Sequence, residues 1–374
     1  MTLREIAEAA HVSIGTVDRV LHNRGRVSPE TKAKIEVLIA QHGYKPNPIA
    51  RHLKLNKKYT FAVLLPNTTD DSGYWKIAYT GIQKAARELK TFGVDIRKIE
   101  FNRYDPLPFL ESIRRQLEDG HFDGLLMAPV QPELSSLLLK TLPAEFPVVF
   151  FDAQLPDFPP LSRIGQNAFQ SGVLAGRLLD AFSVGGGPYC VVSAHSEDFH
   201  IRKRIDGFLR YFESLGAAAV PPVAPGAASP AASPIAASLV GAAPSLAKPG
   251  MARQIRIFEC RDIEHKATCE AFLQKLLAEI PAPGGIFVTN ASVHGVASYV
   301  NNKGATHIAV VGYDLVPDNE SQLRAGTIDC ILSQRPEYQA YEGIYLLYSH
   351  VVLQQAIEKE IIVPIDIYVR ENLP

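Results

Sequence analysis

The sequence predicts a small all-α helix-turn-helix unit followed by a larger α/β unit of two similar lobes. Three observations carry that prediction. Short amphipathic helical patterns occupy the first 46 residues, apolar strand-like runs alternate with amphipathic helices from Tyr59 onward, and the alternation runs through twice. A chain of 374 residues is also long for one core, so a small module beside a two-lobed one is the natural division.

In the head, Thr2 is a candidate N-cap with Glu5 three residues on, opening a helix with Leu3, Ile6, Ala7 and Ala10 on one face. A turn at His11-Val12 leads to Ser13, which caps a second helix with Val17, Val20 and Leu21 facing inward. Ser28 and Pro29 open a third, with Ile35, Leu38 and Ile39 inside and Gly43 past its end. A second helix held this way leaves Ile14, Gly15, Thr16 and Arg19 facing out, toward a major groove if the partner is DNA. Arg19 can donate two hydrogen bonds to guanine, and Ser13 and Thr16 suit phosphates. From pattern alone, a three-helix interaction module with a solvated arginine is the alternative.

Charge separates the head from the body. Residues 1–58 hold eleven Lys/Arg against five Asp/Glu, a net +6, whereas the remainder carries −7 within an overall charge of −1. A polyanion partner is therefore expected for the head only, unless its basic surface is merely solvated.

The first lobe's pattern reads TFAVLLP, a helix from about residue 78 to 89, VDIRKIEF, a helix near 108–119, GLLMAP and PVVFFD. The second reads PYCVVSA, a helix at 201–214, QIRIFEC, a helix near 264–279, GIFVTN, a helix near 293–302 and HIAVVGYD. Ligands of such open sheets bind beyond the strands' carboxyl ends. Those ends supply residues 67–75, Asp152, residues 195–204, Asn290 and Asp314. Paired donors and acceptors beside an aromatic ring such as Tyr74 or Trp75 suit a sugar, although loop Asp and Asn are common and Trp75 can simply pack. Within the second lobe, after the helix ending in FESLG, an Ala/Pro/Ser-rich tract at about 217–250 has almost no charge and no periodicity and reads as a flexible surface insertion or disordered loop.

Other classes find little support. Glycines 185–187 precede a strand instead of following one, so they do not form a phosphate-binding loop, and no GxGxxG, P-loop or GxSxG signature is present. Ser193, His195 and Asp198 are neighbours in sequence, which does not make them a triad. The four cysteines lack metal-ligand spacing, so neither metal nor other cofactor is expected. No apolar run approaches the roughly 20 residues of a membrane span. The opening MTLREIAEAA lacks the pattern of a secretory signal, so a cytoplasmic protein is expected.

The stretch TLREIAEAAHVSIGTVDRVLHNRGRVSPETKAKIEVLIAQHGYKPNPIARHLK resembles the DNA-binding head of the LacI/GalR family of transcription regulators. By that resemblance Ile14, Gly15 and Arg19 read bases, while Thr2, Ser13, Thr16 and Tyr44 hold register and Arg26 approaches from the loop. Asp18 stands where the family usually has serine. Residues 47–54 resemble the family's hinge helix, in which the position of Leu53 wedges into the minor groove.

The body resembles the family's type I periplasmic-binding-protein fold, shared with sugar-transport receptors. The resemblance places Asp152 at an acidic ligand position, with Ala153-Gln154 where an arginine often follows. Arg204 before Gly207-Phe208 matches the ligand arginine, and Asn290 the ligand asparagine, with Ala291 replacing the usual aspartate. Asp314 in VVGYD and Gln334 in ILSQRP match two further ligand positions. The implied organisation is a DNA-binding domain at 1–46, a hinge at 47–58 and a sensing and dimerisation domain at 59–374. Its first lobe takes about 59–164 and 336–362, its second about 165–335 and 363–374. The implied function is a homodimeric operator-DNA regulator, a repressor, controlled by a small-molecule effector, with a carbohydrate preferred over a purine or nucleoside. Ending in VRENLP, the tail shows no leucine heptad, so a dimer is expected instead of a tetramer. A solute-binding receptor is the alternative of another class, opposed by the head.

Overall fold

Apolar faces that the sequence spaces at helical intervals meet in a computed structural model describing residues 3–21, 25, 27–42, 57–69, 72–104, 109–184, 186–215, 254–305 and 308–373. A division of the chain falls after Lys57.

The head consists of α1 (Leu3–Ala10), α2 (Ile14–Leu21) and α3 (Pro29–Gln41). Ile6, Ala7, Ala10, Val17, Val20 and Ile35 form its buried centre, with Leu3, Leu21, Leu38 and Ile39 packed around them. His11, in the left-handed region at φ 57°, makes the turn between α1 and α2. Two serine caps then supply acceptors for first-turn amides: Thr16 N donates to Ser13 Oγ at 3.2 Å, and Thr31 N to Ser28 Oγ at 3.2 Å. Thr2, Arg26, Tyr44, Leu53, most of the hinge and the 217–250 tract lie outside the described residues.

The body opens with β1 (Tyr59–Pro66), α4 (Tyr74–Leu89), β2 (Val94–Phe101), α5 (Phe109–Gly120), β3 (Gly124–Met127), α6 (Pro132–Leu139), β4 (Val148–Phe151) and β5 (Ser162–Gln166). It continues through α7 (Ala168–Phe182), β6 (Tyr189–Ser193), α8 (Phe199–Ser214), β7 (Ile255–Glu259), α9 (Lys266–Glu279), β8 (Gly285–Val288) and α10 (Val293–Asn302). The last elements are β9 (Ala309–Tyr313), α11 (Pro317–Ala325), β10 (Cys330–Ser333), α12 (Pro336–Leu347), β11 (Glu360–Val363) and β12 (Asp366–Tyr368).

Two six-stranded sheets result, ordered β11-β5-β4-β3-β1-β2 and β12-β10-β9-β8-β6-β7. The first is parallel throughout, and in the second only β12 runs antiparallel, against β10. Strands such as β3, β4, β8 and β10 are buried along their whole length, as expected for sheets covered on both faces. The chain passes from one sheet to the other after β5, after β10 and between β11 and β12. Its first crossing therefore follows Gln166, slightly later than the boundary read at 164, because β5 pairs with β4 in the first sheet.

Helix α4 begins at Tyr74, a turn earlier than the sequence periodicity suggested. Gly73, at φ 95°, provides a left-handed entry that only glycine adopts without strain, so the helix starts before its clean apolar face does. Tyr74 and Trp75 consequently sit in a helical first turn and not in a loop.

Candidate functional site

Strand ends build the site in the body. Asp152 directly follows β4 and Asp314 directly follows β9; both adopt the left-handed region, at φ 64° and 59°. Aspartate tolerates this conformation better than most residues with a Cβ. Each carboxylate is buried. Tyr74 OH donates to Asp152 Oδ1 at 2.6 Å, and the amide of Asp152 donates to Gln339 Oε1 at 2.8 Å, tying the strand end to α12.

In the second lobe α8 carries Arg204 inward, where it is 2% exposed. Its Nη1 donates to Thr289 O at 2.7 Å and its Nη2 to Gln334 Oε1 at 2.9 Å, and the guanidinium lies 3.8 Å from the centre of the Tyr313 ring. Gln334 relays this arrangement to Asp314: its Nε2 donates to Oδ2 at 3.0 Å and its backbone N to Oδ1 at 3.2 Å. A chain of donors thus fixes Arg204, Gln334 and Asp314 as one unit.

Tyr74, Trp75, Asp152, Arg204, Asn290, Asp314 and Gln334 all line a single cavity between the lobes, which holds about 630 Å³ of empty space, part of it open to solvent. Trp75 packs edge-on against Tyr74, with ring centres 5.0 Å apart, and against Phe151 at 6.2 Å. Asn67, Ser72, Arg103, Tyr104, His195, His200 and Glu264 complete the polar lining. Arg103 and Tyr104 follow β2, and Glu264 lies in the loop after β7, so applying the strand-end rule to those two edge strands would have found them.

Burial dominates the electrostatics. It pushes the Asp314 carboxyl up to about 7, opposed by nearby Arg204, and raises Asp152 against the lowering effect of the Tyr74 hydrogen bond and Arg204. Tyr74 is raised well above its ordinary range by burial and then by Asp152. Among the described residues no group of three or more His, Cys, Asp or Glu is placed to hold a metal ion. All four cysteines are buried and free.

The head presents a second candidate surface. Ile14 is 50% exposed at the start of α2, and Ser13, Gly15 and Arg19 are exposed while Thr16 is half-buried. Ser13 Oγ lies 2.9 Å from Thr16 Oγ1, so both hydroxyls are oriented by the helix N-terminus. The Arg19 side chain runs beside Gly25, where an added Cβ would stand 3.3 Å from Arg19 Cδ.

A helix-turn-helix head joined to a two-lobed body with an interlobe cavity defines a class of regulatory proteins. Residues 2–47 match the description "Bacterial regulatory proteins, lacI family", and residues 61–355 match "Periplasmic binding protein domain". Over most of its length the chain belongs to the periplasmic-binding-protein domain family, and its head matches the lacI family. It is 29% identical over 170 residues to the ribose operon repressor of Bacillus subtilis (strain 168), covering 44% of this chain and 47% of that protein. It is 25% identical over 217 residues to the PurR repressor of Photobacterium profundum, covering 58% and 61%. The chain thus spans about half the length of the curated relatives it matches. In fold it is similar to the crystal structure of GanP, a glucose-galactose binding protein from Geobacillus stearothermophilus, with a TM-score of 0.67 at 18% identity, covering 85% of this chain and 99% of that one.

Proposed function

We propose that this chain is a cytoplasmic transcription regulator, a repressor, that binds operator DNA as a homodimer and changes its DNA affinity when a sugar or sugar derivative enters the interlobe cavity. The observation that carries this reading is the convergence of polar and aromatic side chains from both lobes on one cavity, in a chain that also carries a helix-turn-helix. Tyr74, Trp75 and Asp152 come from the first lobe and Arg204, Asn290, Asp314 and Gln334 from the second. A ligand touching both sets prefers one lobe arrangement, which is the differential affinity that any ligand-driven switch needs. Carboxylates and an amide pair with hydroxyls, and the similarity to a ribose operon repressor agrees with that class. Base reading falls to Ile14, Gly15 and Arg19, with Ser13 and Thr16 on phosphates; Thr2, Tyr44, Arg26 and the wedge residue Leu53 are assigned by family position. No catalytic role is assigned to any residue.

The test has two arms. Thermal shift over neutral and charged sugars and over nucleobases identifies the ligand, because a molecule bound only by the native state raises the melting temperature. Selection of duplexes from a random pool then supplies an operator for Arg19→Ala, which is expected to lose about 1–3 kcal/mol of discrimination at matched salt. Stabilisation by a purine and by no sugar would overturn the sugar reading. Unselective binding by the parent would overturn the regulator reading.

A further inference from the structure

Arg204 is a buried cation with only neutral neighbours in contact. Its two terminal nitrogens go to a backbone carbonyl and an amide oxygen, and its flat face to Tyr313. Asp314 is reached only through Gln334. Asp314 and Asp152 are near enough to feel its charge but neither bonds the guanidinium directly, and its third nitrogen, Nε, is buried with no partner, a costly arrangement away from water. One helical turn earlier on the same helix, the buried His200 also has a nitrogen, Nδ1, without a partner, as do Arg103 at Nε and His195 at Nε2. All four residues line the interlobe cavity. Arg103 comes from the first lobe and the other three from the second, so the residues with unused nitrogens line the space from both lobes.

The field agrees with the geometry. His200 is held well below its ordinary range by burial first and then by Arg204, Arg103 and His195, all of them cationic or able to become so. The cavity's carboxylates do not meet this demand: Asp152 holds the Tyr74 hydroxyl, Asp314 holds Gln334 by two bonds, and Glu264 bonds Ser292 Oγ at 3.1 Å. Arg103 pairs with Asp198, and His195 Nδ1 lies 3.6 Å from Glu197 Oε1, while Arg204 and His200 have no carboxylate in direct contact among the described residues.

We infer that the ligand of this cavity is an anionic sugar, bearing a carboxylate or phosphate group that sits against Arg204 and His200 and faces Arg103 and His195. The inference rests on the sugar-derivative reading and narrows it. The sugar's hydroxyls are left to Asp152, Asn290 and Asp314, while the charged group supplies acceptors for nitrogens that a neutral hexose leaves partly unmet. An anion held between Arg103 and the α8 pair also bridges the two lobes.

Trp75, the chain's single tryptophan, lines the cavity, so its emission reports binding directly. The full chain is titrated with matched sets in which an aldohexose, its uronate and its 6-phosphate are compared for glucose, galactose and mannose, with hypoxanthine as a further probe. A charged member is expected to bind at least about tenfold more tightly than its neutral parent, the equivalent of one charge-assisted hydrogen bond. Preference for the uronate assigns a carboxylate, and preference for the 6-phosphate assigns a phosphate. His200→Gln and Arg204→Gln should each reduce that preference without the same loss for the neutral parent. If Arg204→Gln fails to fold by circular dichroism, the matched sets and His200→Gln still decide. A neutral hexose that binds as tightly as its charged partners overturns the anion while leaving the sugar reading in place. Binding of hypoxanthine and of no sugar overturns both, and absence of any response to the charged members overturns the inference.

Discussion

Asp198, at the start of α8 in the second lobe, pairs across the cleft with the guanidinium of Arg103 in the first. The same carboxylate accepts the backbone N–H of Gln131 at 3.0 Å, and Gln131 Nε2 donates to the carbonyl of Arg103 at 2.6 Å. Position alone would make Asp198 a helix cap, yet its side chain makes no cap bond and reaches the other lobe instead. Tyr104 adds an interlobe ring contact with His195, centre to centre 5.7 Å. These contacts form a latch between the two lobes.

Removing the latch carboxylate should loosen the body. Asp198→Ala leaves Arg103 and the Gln131 amide without an acceptor in a nearly dry position, costing about 1–3 kcal/mol. Urea unfolding measures that cost, and small-angle X-ray scattering of the ligand-free chain should show a larger radius of gyration. An unchanged radius together with unchanged stability would show that the lobes are held elsewhere.

Legibility in the sequence followed physical locality. Asp152, Asn290 and Asp314 were readable because each lies just beyond the end of an interior strand, where the α/β alternation itself points. Arg103 and Glu264 lie after β2 and β7, the edge strands of their sheets, where convergence with the other loops is not visible without the strand order. His200 needed the register of α8, since only its spacing of four from Arg204 puts both on one face. The latch was hidden because Asp before a helix ordinarily signals a cap and its partner Arg103 is 95 residues away. Helix α7 escaped notice because small residues at Gly172, Ala175 and Gly176 form its buried face, which gives weak apolar periodicity.

In the head, the Ser28 cap should be separable from everything in the body. Ser28→Ala removes the acceptor for Thr31 N and should cost about 1 kcal/mol locally. Hydrogen exchange at the first-turn amides of α3 should quicken severalfold, with the body's amides unaffected. Equal exchange in parent and variant would mean that the hydroxyl does not hold the turn.

Asp314 gives a pH dependence of definite sign. Its carboxyl titrates at about 7 in the folded chain against an ordinary 3.8, so between those values the folded chain keeps a proton that the unfolded chain has released. Stability from this group is therefore fully present below the unfolded value, is lost as pH rises, and levels off above the folded value. Over that window the stability of the parent relative to Asp314→Asn should fall by on the order of 2–4 kcal/mol. Denaturant melts at several pH values measure the difference, which cancels groups common to both proteins. A constant difference, or one that grows with pH, would contradict the burial-driven shift.

The placement of α8 depends on close approach to α7, and two glycines make it possible. A Cβ on Gly172 would stand 2.0 Å from the Arg204 carbonyl oxygen, and one on Gly207 would stand 1.9 Å from the Phe169 carbonyl oxygen. Both obstacles are backbone, so no side-chain rotation relieves them and the helices must separate. Helix α8 carries His200 and Arg204 and follows directly on Asp198, so separation disturbs the latch and the cavity wall together. Gly207→Ala should cost about 1–3 kcal/mol or more through overpacking, despite alanine's better helix propensity. It should also move Arg204 relative to Thr289 and Gln334, changing the surroundings of Trp75 across the cavity. The urea midpoint and the wavelength of Trp75 emission are the measurements, with Ser214→Ala at the exposed end of α8 as the control. A Gly207→Ala variant as stable as the parent, with the same emission, would show that α8 tolerates displacement and that its glycine does not set the position of Arg204.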